Sequence, residues 1–247
     1  MKSIIELKNL YFSTQNQEIV KGVSFKFEEG MATALVGPSG GGKSTVLKLA
    51  AGILVPTGGT VSFRGNDLAF MNRAQNLDFR RQSAVVFQDS ALWANQNLYQ
   101  NLELPLRVHF PQMSKTDREK RMDEVLADVG YRRNLLIRPS QLSMGEQKLI
   151  AFARAMLCRP RLLFLDEWTE SLDVNGAQKL IELVKRLKEE RGTVIFVCHD
   201  FRITKTLADK IIMIVGGEIS LKLTSREIAE DENLIQYIEK GIASYEV

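Results

Sequence analysis

The spacing of apolar residues changes several times along the chain, and each change predicts an element. Residues 3–12 and 18–28 read as two short strands around the polar turn STQNQ, and VSFKF alternates with the period of a half-exposed strand. The apolar run MATALVG suits a buried strand over 30–37 that ends at Gly37, and STVLKLAAG suits a helix over 43–52. PTGG (56–59) marks a turn, TVSFRG a further strand, and SAVVFQ (83–88) a short buried strand with Gln88 at its end.

From about residue 89 to 158 the pattern turns helical. Ser114 and Asp117 can cap a helix whose apolar positions Met122, Val125, Leu126 and Val129 lie on one face. Pro139 and the SQLS segment break the pattern, and a second helix runs over 144–157. RLLFLDE (161–167) is again a strand. A helix over 175–190 places Leu180, Ile181, Val184 and Leu187 on one side. TVIFVCH (193–199) reads as a buried strand, 201–208 as a helix, and KIIMIVGG (210–217) as a strand and turn. Leu234, Ile235 and Ile238 mark a last amphipathic helix. Strands alternating with helices imply an α/β fold with a mainly parallel sheet. An antiparallel β subdomain precedes it, and a helical subdomain is inserted over about 89–158. The remainder, 1–88 and 159–247, forms the core of one 247-residue unit.

Composition adds exclusions. The net charge of +3 comes with no basic block, so no nucleic-acid partner is expected. Cys158 and Cys198 are the only cysteines and fit neither a disulfide framework nor a metal site. Two buried thiols in a reducing cytosol are expected. No run reaches the roughly 18 apolar residues that span a bilayer, and the N-terminal residues lack a signal-peptide core. Any membrane-spanning part would belong to another chain.

The chemistry concentrates in GPSGGGKST, residues Gly37, Pro38, Ser39, Gly40, Gly41, Gly42, Lys43, Ser44 and Thr45. This is the phosphate-binding loop G-x-x-x-x-G-K-[ST], set between a strand and a helix, which makes the core that of a P-loop NTPase. Loop amides and the helix N-terminus converge on one point, where a polyphosphate binds. Lys43 adds a charge for the β- and γ-phosphates, and Ser44 a hydroxyl for Mg²⁺. RLLFLDE places Asp166 and Glu167 at the carboxyl end of a strand, the edge where parallel sheets bind ligands. Asp166 can hold Mg²⁺ opposite Ser44. Glu167 can act as general base on a water in line with the γ-phosphate. In LSMGE (142–146), Ser143 and Glu146 fit a capping box, while Ser143 and Gly145 at a helix start also fit a second anion site.

The set GPSGGGKST, Gln88, LSMGE, LLFLDE, SLD (171–173) and His199 resembles, in order and spacing, the ATP-binding-cassette (ABC) ATPases over almost the whole chain. The resemblance implies a homodimer that sandwiches two ATP molecules head to tail, at the cytoplasmic face of the membrane beside permease subunits. By that resemblance Ser143 and Gly145 contact the γ-phosphate held by the partner copy. Gln88 binds Mg²⁺ and the attacking water and reports closure to the helical insert. Asp173 sits in the loop that crosses the dimer interface, and His199 clamps the γ-phosphate. His109, without such context, reads as a surface residue.

Three positions depart from the family pattern. Met144 stands where a glycine is usual, Trp168 where a proline follows the glutamate, and Thr14 where an aromatic stacks on adenine, with Tyr11 and Phe12 nearby. Slow or tightly regulated hydrolysis follows as an expectation. The segment DSALWANQNLYQNLELPLR should form the groove for a permease coupling helix, with Leu92, Trp93 and Leu98 exposed. Its wording, with the tail IQYIEKGIASYEV, is similar to the ATPases of Mla/Mce-type phospholipid transporters, which implies lipid cargo and a lipid-binding subunit. The alternatives are an importer or exporter of another solute, a non-transport cassette protein, or a nucleotide-gated binding module.

Overall fold

The computed structural model describes residues 2–230. The amphipathic helix expected at Leu234, Ile235 and Ile238 lies outside the described residues, as does the tail.

β1 (Ser3–Ser13) and β2 (Glu18–Glu28) pair antiparallel across a turn in which the Thr14 amide donates to the Gln17 carbonyl at 2.9 Å. β3 (Ala32–Val36) opens the second sheet and leads through the glycine-rich loop into α1 (Lys43–Ala50). β4 (Gly58–Phe63) and the short β5 (Asn66–Asp67) return to the first sheet, whose order is β2-β1-β4-β5. α2 (Arg73–Gln82) is an element the apolar pattern does not announce. Phe79 is its one buried side chain, and a capping box between Asn72 and Gln75 starts it.

β6 (Ser83–Val86) precedes α3 (Leu98–His109), α4 (Lys115–Val129) and α5 (Met144–Met156). Then follow β7 (Leu162–Asp166), α6 (Val174–Glu189), β8 (Thr193–Val197), α7 (Phe201–Leu207), β9 (Lys210–Val215), β10 (Glu218–Thr224) and α8 (Ser225–Glu230). The second sheet has the order β10-β9-β3-β8-β7-β6 and is parallel except for β10. β10 was not expected. Gly216 and Gly217, with φ of 57° and 88°, supply the left-handed turn that folds it back on β9.

Every residue of β3, β7 and β8 is buried, as in a parallel sheet covered on both faces. Alternation sends Phe164, Ile195 and Val197 toward α1 and the first sheet, among Ile5, Leu7, Val46 and Leu47. Leu163, Leu165 and Phe196 face the other way and share one core with Leu102, Val125, Leu126 and Ile150 of the inserted helices. Trp168, fully buried, sits in that shared core with its ring centroid 5.9 Å from that of Phe152 in α5. A proline-sized side chain would leave this space unfilled.

Trp168→Ala is expected to lower stability by about 3–5 kcal/mol, the usual cost of emptying a large aromatic site. Thermal unfolding reads it, and a shift within error would show that the helices do not lean on Trp168.

Candidate nucleotide site

β3, β8 and β7 are adjacent and parallel, so their carboxyl ends open on one edge. The phosphate loop leaves β3 there, Asp166 ends β7, and His199 follows β8. The loop is tightly held from behind. Gly37 has φ 135°, and a Cβ on it would lie 2.1 Å from the Ile214 carbonyl oxygen of β9. At the front, Ser39 and Gly40 are exposed, and a Cβ on Gly40 would meet nothing within 4 Å. Gly42, in a left-handed conformation, caps α1, so the first amides of that helix face the loop.

Lys43 is buried, and its Nζ donates to the carbonyls of Gly37 at 3.0 Å and Pro38 at 2.8 Å. Burial lowers its pKa, while the nearby Glu167 and Asp166 carboxylates raise it back. Ser44 Oγ donates to Asp166 Oδ1 at 2.6 Å, joining α1 to the end of β7. Asp166 is fully buried, and its Oδ2 has no hydrogen bond, only the Lys48 ammonium at 3.8 Å. A buried carboxylate oxygen without a hydrogen bond, beside a hydroxyl, is a hard-oxygen donor set. It suits Mg²⁺, which takes one or two protein oxygens and completes its shell with phosphates and water.

Glu167 has φ 45°, a left-handed backbone that aims its side chain into the site. It is 4% exposed, and its Oε1 lies 2.8 Å from His199 Nε2. Burial first, and then the charge of Glu170, push its carboxyl up to about 7; Lys43 opposes this, and Asp166 adds to it. Such a carboxyl can both take and release a proton near neutral pH.

Gln88 lies exposed two residues beyond β6, and its Nε2 donates to Glu170 Oε2 at 3.2 Å. Ser143 caps α5: its hydroxyl accepts from the Glu146 amide at 3.2 Å, and its own amide donates to Glu146 Oε2 at 2.9 Å. Gly145 backs onto the Ser171 carbonyl, 2.7 Å from where a Cβ would stand. Asp173 caps α6, accepting from the Gly176 amide at 2.7 Å. Thus Lys43, Ser44, Asp166, Glu167 and His199 come together. Among the described residues, no hydrogen bond ties Ser143, Gly145 or Asp173 to the phosphate loop.

A family model described as ABC transporter matches residues 20–170. The chain belongs to this family. It is an ATPase that uses ATP and Mg²⁺. The nickel import ATP-binding protein NikE of Shigella flexneri is 36% identical over 210 residues, spanning 83% of this chain and 78% of that protein. NikE of Escherichia coli is 36% identical over 209 residues with the same coverage. The dimeric structure of MJ0796, a bacterial ABC transporter cassette, superposes with a TM-score of 0.84 at 30% identity, covering 90% of this chain and 99% of that one. The dimeric post-hydrolysis state of MJ0796 bound to ADP and Pi gives a TM-score of 0.83 at 29% identity with the same coverage.

Several expected positions of this ABC ATPase need correction. Leu98 is buried, because a capping box at Asn97 starts α3 there and turns Leu98, Leu102 and Leu106 onto the core. Leu92 is half-buried against the same core, and of the three only Trp93 is exposed. His109 is half-buried rather than on the surface, and desolvation and Arg81 lower its pKa. Cys198 is buried as expected, but Cys158 only partly. Sequence reasoning also passed over Lys48, which approaches Asp166, and Glu170, which bonds Gln88. Lys48 lies one helical turn beyond Ser44 on α1, which was the available signal.

The pH dependence of kcat/KM for ATP hydrolysis reports groups of the free enzyme. A base with a carboxyl at about 7 must lose its proton first, so kcat/KM is expected to rise with pH through about 7. A flat profile from pH 6 to 8 would remove Glu167 as the titrating base.

Proposed function

We propose that this chain drives a membrane importer of a small solute as a head-to-tail pair of copies, bound to the cytoplasmic face of permease subunits. The ATPase half of this reading is carried by the 2.6 Å contact from Ser44 to Asp166, with the Glu167–His199 pair at 2.8 Å beside it. Residues 1–88 and 159–247 act as the ATPase core and about 89–158 as the helical unit that responds to nucleotide. No helix among the described residues is long and apolar enough to cross a membrane. The permease contact therefore falls to a surface.

A groove of about 300 Å³ supplies one, lined by Trp93, Leu104, Pro105 and Val108 over Arg80 and Arg154. The Arg154 guanidinium lies 5.4 Å from the centre of the Trp93 ring and steadies it. The groove would take one or two apolar side chains of a permease coupling helix lying across it.

In the closed pair, Ser44, Asp166 and Gln88 would hold Mg²⁺, which would supply positive charge for the phosphates. Lys43 leaves the Gly37 and Pro38 carbonyls for the β- and γ-phosphates. Glu167 takes the proton of the attacking water, and His199 holds the γ-phosphate side of the site. Ser143 and Gly145 complete the site of the other copy, and Asp173 lies in the loop between the two. Phosphoryl transfer depends mainly on such positioning, so turnover waits for closure. Thr14 turns into the β1–β2 turn, and Phe12 packs toward the core. Adenine therefore gains little aromatic stacking from Thr14, which favours weak base selectivity. Met144 is 71% exposed at the start of α5, and in the proposed pair it would lie against the partner copy's nucleotide. Its side chain is the motive for slow or tightly regulated hydrolysis.

The 36% identity to proteins named for nickel import supports a solute importer. Phospholipid cargo and a lipid-binding subunit rested on the wording after Gln88 and on the tail, and no relative named above supports either.

Glu167→Gln is expected to keep ATP binding within about twofold, to cut turnover by 10² or more as a rough guide, and to accumulate the closed pair in size-exclusion chromatography. Wild-type turnover would remove Glu167 as base. Mild-detergent extraction should co-purify a multi-span permease and a solute receptor. A bound phospholipid with a lipid-binding anchor would reinstate the lipid reading, and the absence of any membrane protein would end the transporter reading.

A further inference from the structure

Gln88 lies in a backbone segment that does not hold its own shape. Ser90 and Ala91 are consecutive non-glycine residues with φ of 63° and 43°, a left-handed conformation that costs energy at each. Two cations of α5 hold this segment. Lys148 Nζ donates to the Gln88 carbonyl and, at 3.3 Å, to that of Phe87. Arg154 donates to the carbonyls of Ala91 at 2.8 Å and Ser90 at 3.1 Å. Lys148 is 3% exposed and lies one turn past the Ser143–Glu146 cap on the same helix. Among the described residues no acidic side chain forms an ion pair with it within 4 Å; burial lowers its pKa, while the charges of Glu170, Asp89, Asp166 and Glu167 partly raise it back. A buried ammonium with two carbonyl partners is costly to keep, and it serves no packing need that a methionine would not meet.

We propose that Lys148 is a positioning residue that couples the N-terminal end of α5 to Gln88. The buried ammonium fixes the Gln88 carbonyl, and so the direction of the Gln88 side chain, to the helix that presents Ser143 and Gly145. When α5 moves to meet the nucleotide of a second copy, Lys148 carries Gln88 with it. Arg154 holds the far end of the segment, so the segment moves as a unit with the helix. The proposal rests on the role given to Gln88 above. It adds the chemical link by which engagement at one site sets the water- and metal-facing side chain of the other.

The test is a double-mutant cycle on the full chain, with kcat, KM for ATP and the Mg²⁺ concentration for half activation measured for each variant. Lys148→Met keeps the aliphatic length and removes the donor. It is expected to lower kcat about tenfold, to raise the Mg²⁺ requirement, and to leave KM for ATP unchanged. In a Gln88→Ala background it should cost nothing further, because the group it positions is gone. Costs that add in full, or a Lys148→Met variant with wild-type kcat beside a slow Gln88→Ala, would overturn the proposal alone. Wild-type turnover from Gln88→Ala would overturn the Gln88 reading and the proposal with it. If Lys148→Met does not fold, Lys148→Gln keeps an uncharged amide donor on a shorter side chain and is expected to give an intermediate kcat with the same non-additivity. Full additivity there overturns the proposal equally.

Discussion

The site depends on two carboxylates placed side by side at the buried end of β7. Asp166 and Glu167 are almost completely removed from water, and like charges so close cannot both be comfortable there. The surroundings separate them. Asp166 has the Ser44 hydroxyl and the Lys48 ammonium. Glu167 has the His199 ring, but its burial first, and then the charge of Glu170, move its carboxyl toward neutrality. One group is thus suited to hold a cation and the other to exchange a proton, although the two are chain neighbours.

The same constraint explains why the sheet is built as it is. A carboxylate pair can be buried only where cations and donors are already fixed, and the three adjacent strands β3, β8 and β7 deliver them to one edge. Gly37 lets the loop pass the Ile214 carbonyl, which no other residue could do. The strand interiors supply rigidity, and the strand ends supply chemistry.

The helical insert is not loosely attached. Its apolar faces share a core with the sheet, and Trp168, next to the proposed base, stands in that core against Phe152 of α5. Beside this apolar contact, α5 holds the backbone around Gln88 through carbonyl bonds from Lys148 and Arg154. Apolar packing resists separation, while a few directional bonds transmit displacement.

Much of this was legible in the chain itself. The phosphate loop, the strand ending in Asp166 and Glu167, and the capping box at Ser143 depend on local spacing, and local spacing is what sequence preserves. The buried strands showed as apolar runs for the same reason. What needed the tertiary structure was every fact about partners distant in the chain. Leu98 looked exposed in a polar segment, but a helix cap turned it inward. α2 has a single buried position and leaves no periodic trace, whereas β10 alternates at Ile219, Leu221 and Leu223 with the period of a half-exposed strand, too short a signal beside the Gly216-Gly217 turn to be read as a strand. Glu170, Lys48 and Lys148 carry no motif. They matter because folding brings them to charges and carbonyls many residues away, where burial makes each contact strong.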